Sequence, residues 1–233
     1  MIYREYLVMR KALPWFAGIV LTIMLIVPTS SNMSQITYAA IANGSGWLAA
    51  IFASVFGVAL GNGSRDAARV LWLLPTRRWA LALQVIVVDL AGTTVAFACV
   101  YLLILTFGAL HFRVDLSGTP SATDIAMALA MAFGTYGWSA LVGMLGRRIA
   151  YCGLLALPAL MIWMILALSQ TAIGAVLRAP IAANPFAVYN AGLNAMSPLQ
   201  WLSSAWVMPV LVAIAIATCG LATALWARAE VIA

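Results

Sequence analysis

Charge is the scarcest property of this sequence. Lys, Arg, Asp and Glu make up 8% of its 233 residues, against about 25% in an ordinary soluble domain. So few charges cannot cover a water-facing surface, which excludes a soluble globular domain. Hydrophobic residues instead account for 65% of the chain, and they fall in runs of roughly 18 to 30 residues that suit the ~30 Å hydrocarbon core of a bilayer. The sequence therefore predicts an all-α integral membrane protein, with a single transmembrane domain over residues 1–233.

Cysteine and histidine are also rare. The three cysteines, Cys99, Cys152 and Cys219, lie in separate apolar runs, and His111 is the one histidine. No spacing suits zinc, and one histidine cannot build a multi-histidine metal site or a proton relay. We therefore predict buried thiols, and no disulfide framework, metal site or catalytic centre on this chain.

A nucleotide-binding loop of the form GxxxxGK[ST] does not occur in the sequence. Such a loop cradles the phosphates of ATP with its backbone N–H groups. The chain is therefore expected to hold no cofactor itself. If ATP drives its activity, a different polypeptide binds the nucleotide.

The apolar runs predict six transmembrane helices. The third run is too long for one crossing, so its first turns are expected to lie along the membrane interface. The runs are approximately Leu13–Val27, Gly46–Leu60, Ala80–Leu110, Ile125–Leu145, Ile149–Leu168 and Trp201–Trp226.

Basic residues set the predicted orientation. Most of the twelve Lys and Arg residues fall in the N-terminal segment, the second and fourth loops and the C-terminus, and the alternating loops hold only Arg113 and Arg178. Basic loops stay on the cytoplasmic side, so both termini are predicted to lie in the cytoplasm. The same rule accounts for the net charge of +6 without a nucleic-acid partner.

Residues 1–12 are predicted to form a helix that lies along the membrane surface. Ile2, Tyr6 and Met9 recur at helical spacing, while Arg4 falls away from that stripe, as in an interfacial helix. Two alternatives remain at this point. The segment only orients the chain through its basic residues, or it is a cleaved secretory signal.

A basic, tryptophan-containing stretch follows the second apolar run. Asn62, Gly63 and Ser64 are expected to end that span, and Asp66 is expected in the first turn of a short cytoplasmic helix that Pro75 ends. The apolar turn of this helix either anchors the loop in the interface or docks onto another protein, because Leu, Trp and Arg commonly anchor protein interfaces.

This stretch also carries a family resemblance, through Arg65, Leu73, Leu74, Pro75, Thr76 and Arg77. With its amphipathic start, six spans and both ends inside, the chain resembles the type-2 permeases of ABC transporters. The resemblance implies that residues 65–78 form a coupling helix, which docks into a groove on a cytoplasmic ATP-binding subunit. The residues it assigns to this contact are Arg65, Asp66, Arg69, Leu71, Trp72, Leu73, Leu74, Pro75, Thr76, Arg77 and Arg78.

The resemblance further implies the permease subunit of an ATP-driven exporter, which moves a hydrophobic or amphipathic cargo such as a drug, an antibiotic, a lipid or a peptide. The implied partners are two copies of the ATP-binding subunit, which hold ATP and Mg, a second permease chain, identical or homologous, and membrane lipid. The implied location is a bacterial inner or plasma membrane, crossed several times. A haem-export or cytochrome-maturation component is one alternative function. An intramembrane enzyme is a second alternative, but the apolar runs lack paired catalytic residues.

The stretch between the fifth and sixth apolar runs, residues 172–200, is mostly apolar but broken by Pro180, Pro185 and Pro198. Re-entrant or surface-lying short helices would satisfy its backbone at membrane depth. In type-2 permeases this position resembles the paired external helices that cap the translocation path. The alternative is a surface loop packed on the bundle.

Asp89 is a carboxylate inside an apolar run, where such residues are rare and often functional. If the third span begins near Ile86, Asp89 lies one turn inside the interface and pairs with Arg77, Arg78 or Arg147. We favour a packing or gating role over a substrate or proton role.

Small residues and prolines supply the remaining packing or gating candidates. Gly57 and Gly61 end a stripe of small residues in the second run, which lets another helix approach closely. Pro158 and Pro209 fall inside the fifth and sixth runs, as hinges or fixed kinks. The full stripe is Ser45, Ala49, Ala53, Gly57 and Gly61, and a second stripe comprises Ala126, Ala130 and Gly134.

Overall fold

The protein is a helical bundle. The computed structural model describes residues 10–21, 35–71, 78–111, 115–117, 121–144, 156–169, 171–193, 197–199 and 201–228. Its elements are α1 (10–21), β1 (Gln35–Thr37), α2 (Tyr38–Leu71), α3 (Arg78–His111), β2 (Asp115–Ser117), α4 (Ala122–Met144), α5 (Ala156–Leu168), α6 (Ala172–Arg178), a 3₁₀ turn (Ile181–Ala183), α7 (Pro185–Gly192) and α8 (Ser204–Arg228).

Four of the described helices are long and apolar enough to cross a membrane. These stretches are Tyr38–Gly61, Trp79–Thr106, Ala122–Met144 and Ser204–Arg228. Helices α5 and α6 pass the same test only together, across a bend of 116°, so the described residues contain four or at most five candidate spans. The predicted first span, Leu13–Val27, continues beyond the described helix α1, and the start of Ile149–Leu168 also lies outside the described residues.

Helix α2 is longer than predicted at both ends. It begins at Tyr38, where the Thr37 hydroxyl accepts a hydrogen bond from Ala40 N at 3.1 Å and caps the helix. The candidate membrane-spanning stretch of α2 ends at Gly61, where the sequence predicts the end of the span, but the helix itself does not stop at the predicted break, Asn62–Ser64, and continues to Leu71. Asp66 therefore lies inside α2 and not in the first turn of a new helix. Good helix formers on the C-terminal side of the break outweigh the small cost of one Gly and two polar residues.

Helix α3 is a single helix from Arg78 to His111, so the predicted change of direction in its first turns is wrong. Its apolar stretch of 28 residues is about 42 Å long, and such a length is accommodated by tilting. The side chain of Cys99 is exposed on α3 and that of Cys219 is half-buried on α8. The prediction of buried thiols is therefore wrong for Cys99, because α3 packs at the edge of the bundle.

Helices α2, α4 and α8 run in the same direction. Where α2 and α4 approach each other, residue numbers increase together along both helices, from Gly46 at Ala128 to Gly61 at Gly143. Residue numbers also increase together along α4 and α8, because Gly134 meets Ile214 and Gly137 meets Thr218. We call the end where α2, α4 and α8 begin the upper end, and the opposite end the lower end.

Helix α3 returns antiparallel to α2. Six residues separate the two helices at the lower end, and near the upper end Gly44 approaches Ile104. There the two three-residue strands pair in parallel, with Ile36 opposite Leu116. This ladder ties the start of α2 to the segment that follows α3.

The core lies along α2 and α4. In their apolar stretches 67% and 61% of the residues are buried, against 28% in α8. Tyr136, Met131 and Leu211 are among the largest fully buried side chains. Helix α8, and to a lesser degree α3 with 44% of its apolar stretch buried, are the more exposed of the four, as expected for helices that face lipid.

Candidate functional site

The predicted coupling residues lie at the lower end of α2 and α3. Arg65, Asp66, Arg69 and Leu71 belong to the last two turns of α2, and Arg78 is the first residue of α3. The remaining residues of this prediction, Trp72, Leu73, Leu74, Pro75, Thr76 and Arg77, lie outside the described residues. The structure thus brings the two flanks of the stretch to one end of the bundle.

A hairpin of short helices fills the upper half of the bundle. We use "the hairpin" for residues 172–192, which comprise α6, the 3₁₀ turn and α7. The axis turns by 116° between α5 and α6, and Trp163 Nε1 on α5 donates to Leu177 O on α6 at 3.2 Å. Helix α6 therefore folds back along α5 instead of continuing it.

The tip of the hairpin reaches the middle of α4. A Cβ on Gly134 would lie 3.1 Å from Pro185 Cβ, whereas Gly192, at the other end of α7, packs against Met127 and Val207. Helix α7 thus runs antiparallel to α4, from the level of Gly134 back to the upper end. Gly134 lies twelve residues after Ala122, so the tip is about 18 Å below the start of α4.

Asn184 organises the hydrogen bonds at the tip. Its wholly buried side chain donates from Nδ2 to Leu160 O at 2.7 Å, and its Oδ1 accepts from Phe186 N at 3.0 Å and Ala187 N at 3.4 Å. Asn184 is therefore the N-cap of α7 and a bridge to α5. The Asn184-Pro185 pair carries this signal in the sequence, because Asn is favoured at the N-cap and Pro at the first helical position.

Aromatic side chains fix the hairpin to its neighbours. Trp138 Nε1 on α4 donates to Ala183 O at 2.9 Å, which satisfies a carbonyl of the 3₁₀ turn. Phe186 is fully buried and stacks on Trp47 of α2, with ring centroids 4.5 Å apart. Ser197 Oγ, in the segment before α8, donates to Ala187 O in the first turn of α7 at 2.7 Å. The Ala183 carbonyl is thus paired with a protein group, which is how irregular backbone is satisfied at membrane depth.

Asp89 lies on α3, about three turns after Trp79, where the candidate membrane-spanning stretch of that helix begins. Its side chain is 2% exposed, and Oδ2 accepts a hydrogen bond from the Tyr136 hydroxyl of α4 at 2.7 Å. The side chains of the predicted arginine partners lie outside the described set. The bond to Tyr136 links α3 to the core helix α4.

The glycines of the small-residue stripe lie where α2 meets α4. A Cβ on Gly57 would collide with the Tyr136 carbonyl oxygen, and a Cβ on Gly61 would lie 2.6 Å from Gly143 Cα. On α4 the second predicted stripe does not supply these contacts, since its Gly134 faces Pro185 and Ile214 instead. The stripe of α2 is thus a contact between helix backbones.

The two prolines lie in different settings. Pro158 belongs to the first described turn of α5, and Pro209 lies inside α8 with its ring exposed.

Within the described ranges, no three His, Cys, Asp or Glu side chains come together in a group that could hold a metal ion.

Tyr189 offers a test of the packing around α7. It is fully buried, and its hydroxyl has no hydrogen-bond partner in the described part of the chain. Removing an unpaired buried hydroxyl relieves a desolvation cost. Tyr189→Phe is therefore expected to leave the free energy of unfolding unchanged or to raise it, by about 1 kcal/mol at most. The matched variant Tyr136→Phe breaks the bond to Asp89 and is expected to lower it by about 2 kcal/mol. Denaturant unfolding of both variants in the same detergent measures the two changes. Equal changes in the free energy of unfolding would contradict the difference between a paired Tyr136 hydroxyl and an unpaired Tyr189 hydroxyl.

Comparison with known proteins identifies no relative. No family model, no curated protein and no solved structure matches this chain.

Proposed function

We propose that this chain is the membrane-spanning subunit of an ATP-driven exporter of the type-2 ABC permease kind. The main support for this proposal is the position of the hairpin. Two short helices between α5 and α8 enter the bundle from its upper end and turn near Gly134, where their backbone is held by Asn184 and Trp138. This is the re-entrant arrangement that the family resemblance implies for residues 172–200.

The proposed topology has six spans, with α1 belonging to the first and α5 to the fifth. The lower end faces the cytoplasm because the basic residues of the 65–78 stretch and Arg228 lie there. The hairpin then enters from the external side, as a cap over the translocation path. A bacterial inner or plasma membrane is the proposed location.

In the proposed mechanism, ATP is bound with Mg by two copies of a cytoplasmic partner subunit. Residues 65–78 dock on that subunit and move with it. Their motion reaches the bundle through α2, which is packed backbone to backbone on α4, and through α3, which is tied to α4 by Asp89 and Tyr136. A second permease chain, identical or homologous, completes the path.

The proposed cargo is hydrophobic or amphipathic, such as a drug, an antibiotic, a lipid or a peptide. The apolar stretches of the four candidate spans contain Asp89, Asp124 and Arg228 as their charged residues. A path with so few charges suits an apolar cargo better than a strongly ionic one.

Substitutions in the 65–78 stretch test the docking step. Leu73→Asp and Arg77→Asp place a carboxylate in the proposed contact, so each is expected to reduce co-purification of the ATP-binding subunit at least tenfold. Membrane insertion should be unchanged. Arg228→Asp is the matched control for Arg77→Asp, because it makes the same charge change at the same end of the bundle but outside the stretch. Undiminished co-purification in Leu73→Asp and Arg77→Asp would overturn the coupling role.

The mass of the intact complex tests the proposal as a whole. The tagged chain is purified from its native host in mild detergent, and its mass is measured by native mass spectrometry. A mass equal to two permease chains with two ATP-binding subunits is the expected result. A lone chain or a homo-oligomer would refute the exporter assignment and leave residues 65–78 as an interfacial anchor.

A further inference from the structure

The corner between α5 and α6 holds an arginine in a defined position. Arg178 is the last residue of α6, but its side chain folds back toward the corner, where Nε donates to Gly174 O at 3.3 Å and Nη2 donates to Ser169 O at 3.4 Å. Because α6 runs from the corner toward the hairpin tip, the guanidinium lies well above the Cα of its own residue. This is how a long basic side chain reaches the membrane surface.

The hydroxyl groups at the corner are already paired with one another. Ser169 Oγ donates to Leu166 O at 2.7 Å, so in its 2.8 Å contact with the Thr171 hydroxyl it is the acceptor. Thr171 Oγ1 also accepts from Gly174 N at 3.2 Å. Both hydroxyl protons are thus used inside the corner, so among its described side chains the guanidinium is the group that can bind a ligand.

The guanidinium retains donors for such a ligand. A guanidinium has five N–H groups, and two of those of Arg178 are engaged with carbonyls in the described part of the chain. The Arg178 side chain is exposed. A guanidinium that is already held in place binds an oxyanion through two parallel hydrogen bonds with little loss of side-chain entropy.

An apolar surface continues downward from the corner. Ile173 and Val176, one turn apart on α6, are 65% and 73% exposed, and Ile165 on α5 is 61% exposed. At the same upper end, Trp201 and Trp206 near the start of α8 are 73% and 63% exposed. Exposed tryptophans of this kind mark the headgroup level of a membrane. The corner therefore combines a cation at headgroup level with apolar side chains at acyl-chain level.

We infer that the α5–α6 corner binds a phospholipid, with the phosphate on Arg178 and an acyl chain along Ile173 and Val176. The charge of the guanidinium selects the phosphate, and the adjoining apolar face selects a lipid over a free anion. This site requires neither the ATP-binding subunit nor a cargo, so it is independent of the proposed transport function.

Lipid titration by native mass spectrometry tests the inference. The full-length chain in detergent is titrated with phosphatidylglycerol and with diacylglycerol of the same acyl chains. Phosphatidylglycerol is expected to bind about tenfold more tightly. Arg178→Gln should lose this preference, while Arg178→Lys should keep a smaller part of it, because an ammonium lacks the planar fork of donors. Arg228→Gln, which removes an arginine from the lower end, should keep the preference in full.

Several outcomes would overturn the inference. One is a phosphatidylglycerol preference that survives in Arg178→Gln, and another is a preference that falls equally in Arg228→Gln. Displacement of the lipid by millimolar inorganic phosphate would reveal a free-anion site instead. Thermal unfolding is recorded for each variant. If Arg178→Gln does not fold, Arg178→Lys decides, since a reduced preference supports the lipid site and an undiminished one refutes it.

Discussion

Gly61→Ala is expected to destabilise the bundle by about 2 kcal/mol. The added Cβ would lie 2.6 Å from Gly143 Cα and 2.7 Å from Ala140 O. Both are backbone atoms of α4, so no side chain can rotate away, and the two central helices must separate to admit the methyl group. Their separation also loosens the neighbouring contacts of Gly57. Denaturant unfolding in detergent measures the effect.

Gly220→Ala is the matched control for this substitution. It adds the same methyl group in a helix, but no atom lies within 4 Å of the new Cβ. Since alanine favours a helix over glycine by about 1 kcal/mol, this variant is expected to be as stable as the unchanged chain or slightly more so. If Gly61→Ala and Gly220→Ala behave alike, the backbone contact between α2 and α4 is not what sets stability here.

Asn184→Ala is expected to have the largest effect of any single substitution in the hairpin. It removes one donor and one acceptor at a fully buried position and leaves Phe186 N without its cap. Unpaired buried groups cost about 1–3 kcal/mol each, so a loss of about 3 kcal/mol is expected. Because the tip of the hairpin holds α5 against α7, the variant should also expose the hairpin to proteolysis in detergent.

Asn190→Ala provides the matched comparison. Asn190 lies in the same short helix, but its described side-chain bond is a weak one, from Nδ2 to Met164 Sδ at 3.1 Å. A loss below about 1 kcal/mol is expected, with the hairpin still resistant to protease. Comparable losses from the two asparagines would mean that Asn184 is not the residue that holds the tip.

Much of the helical framework could be predicted from the sequence, because an apolar run of membrane length must satisfy its own backbone and does so as a helix. The residues at which the helices begin and end were less predictable. Asn62, Gly63 and Ser64 look like a helix end, yet α2 passes through them. Local propensity is worth less than about 1 kcal/mol per residue, so three unfavourable residues do not end a helix that good helix formers continue on the far side.

The site was harder to predict because its contacts join distant parts of the chain. The prolines around residue 185 indicate short helices, but their depth depends on Gly134, Trp138 and Leu160, which belong to other helices. Asp89 could be singled out as unusual in the sequence. Its partner Tyr136 could not, since no local pattern links positions on α3 and α4.

The common direction of α2, α4 and α8 has an electrostatic consequence. Each helix carries the equivalent of roughly half a negative charge at its carboxyl end, and three neighbouring helices turn that end toward the same side of the bundle. Arg228 lies in the last turn of α8, and Arg65 and Arg69 lie in the last two turns of α2. These arginines place positive charge at the carboxyl ends of α2 and α8, which offsets the summed helix dipoles and stabilises the parallel packing.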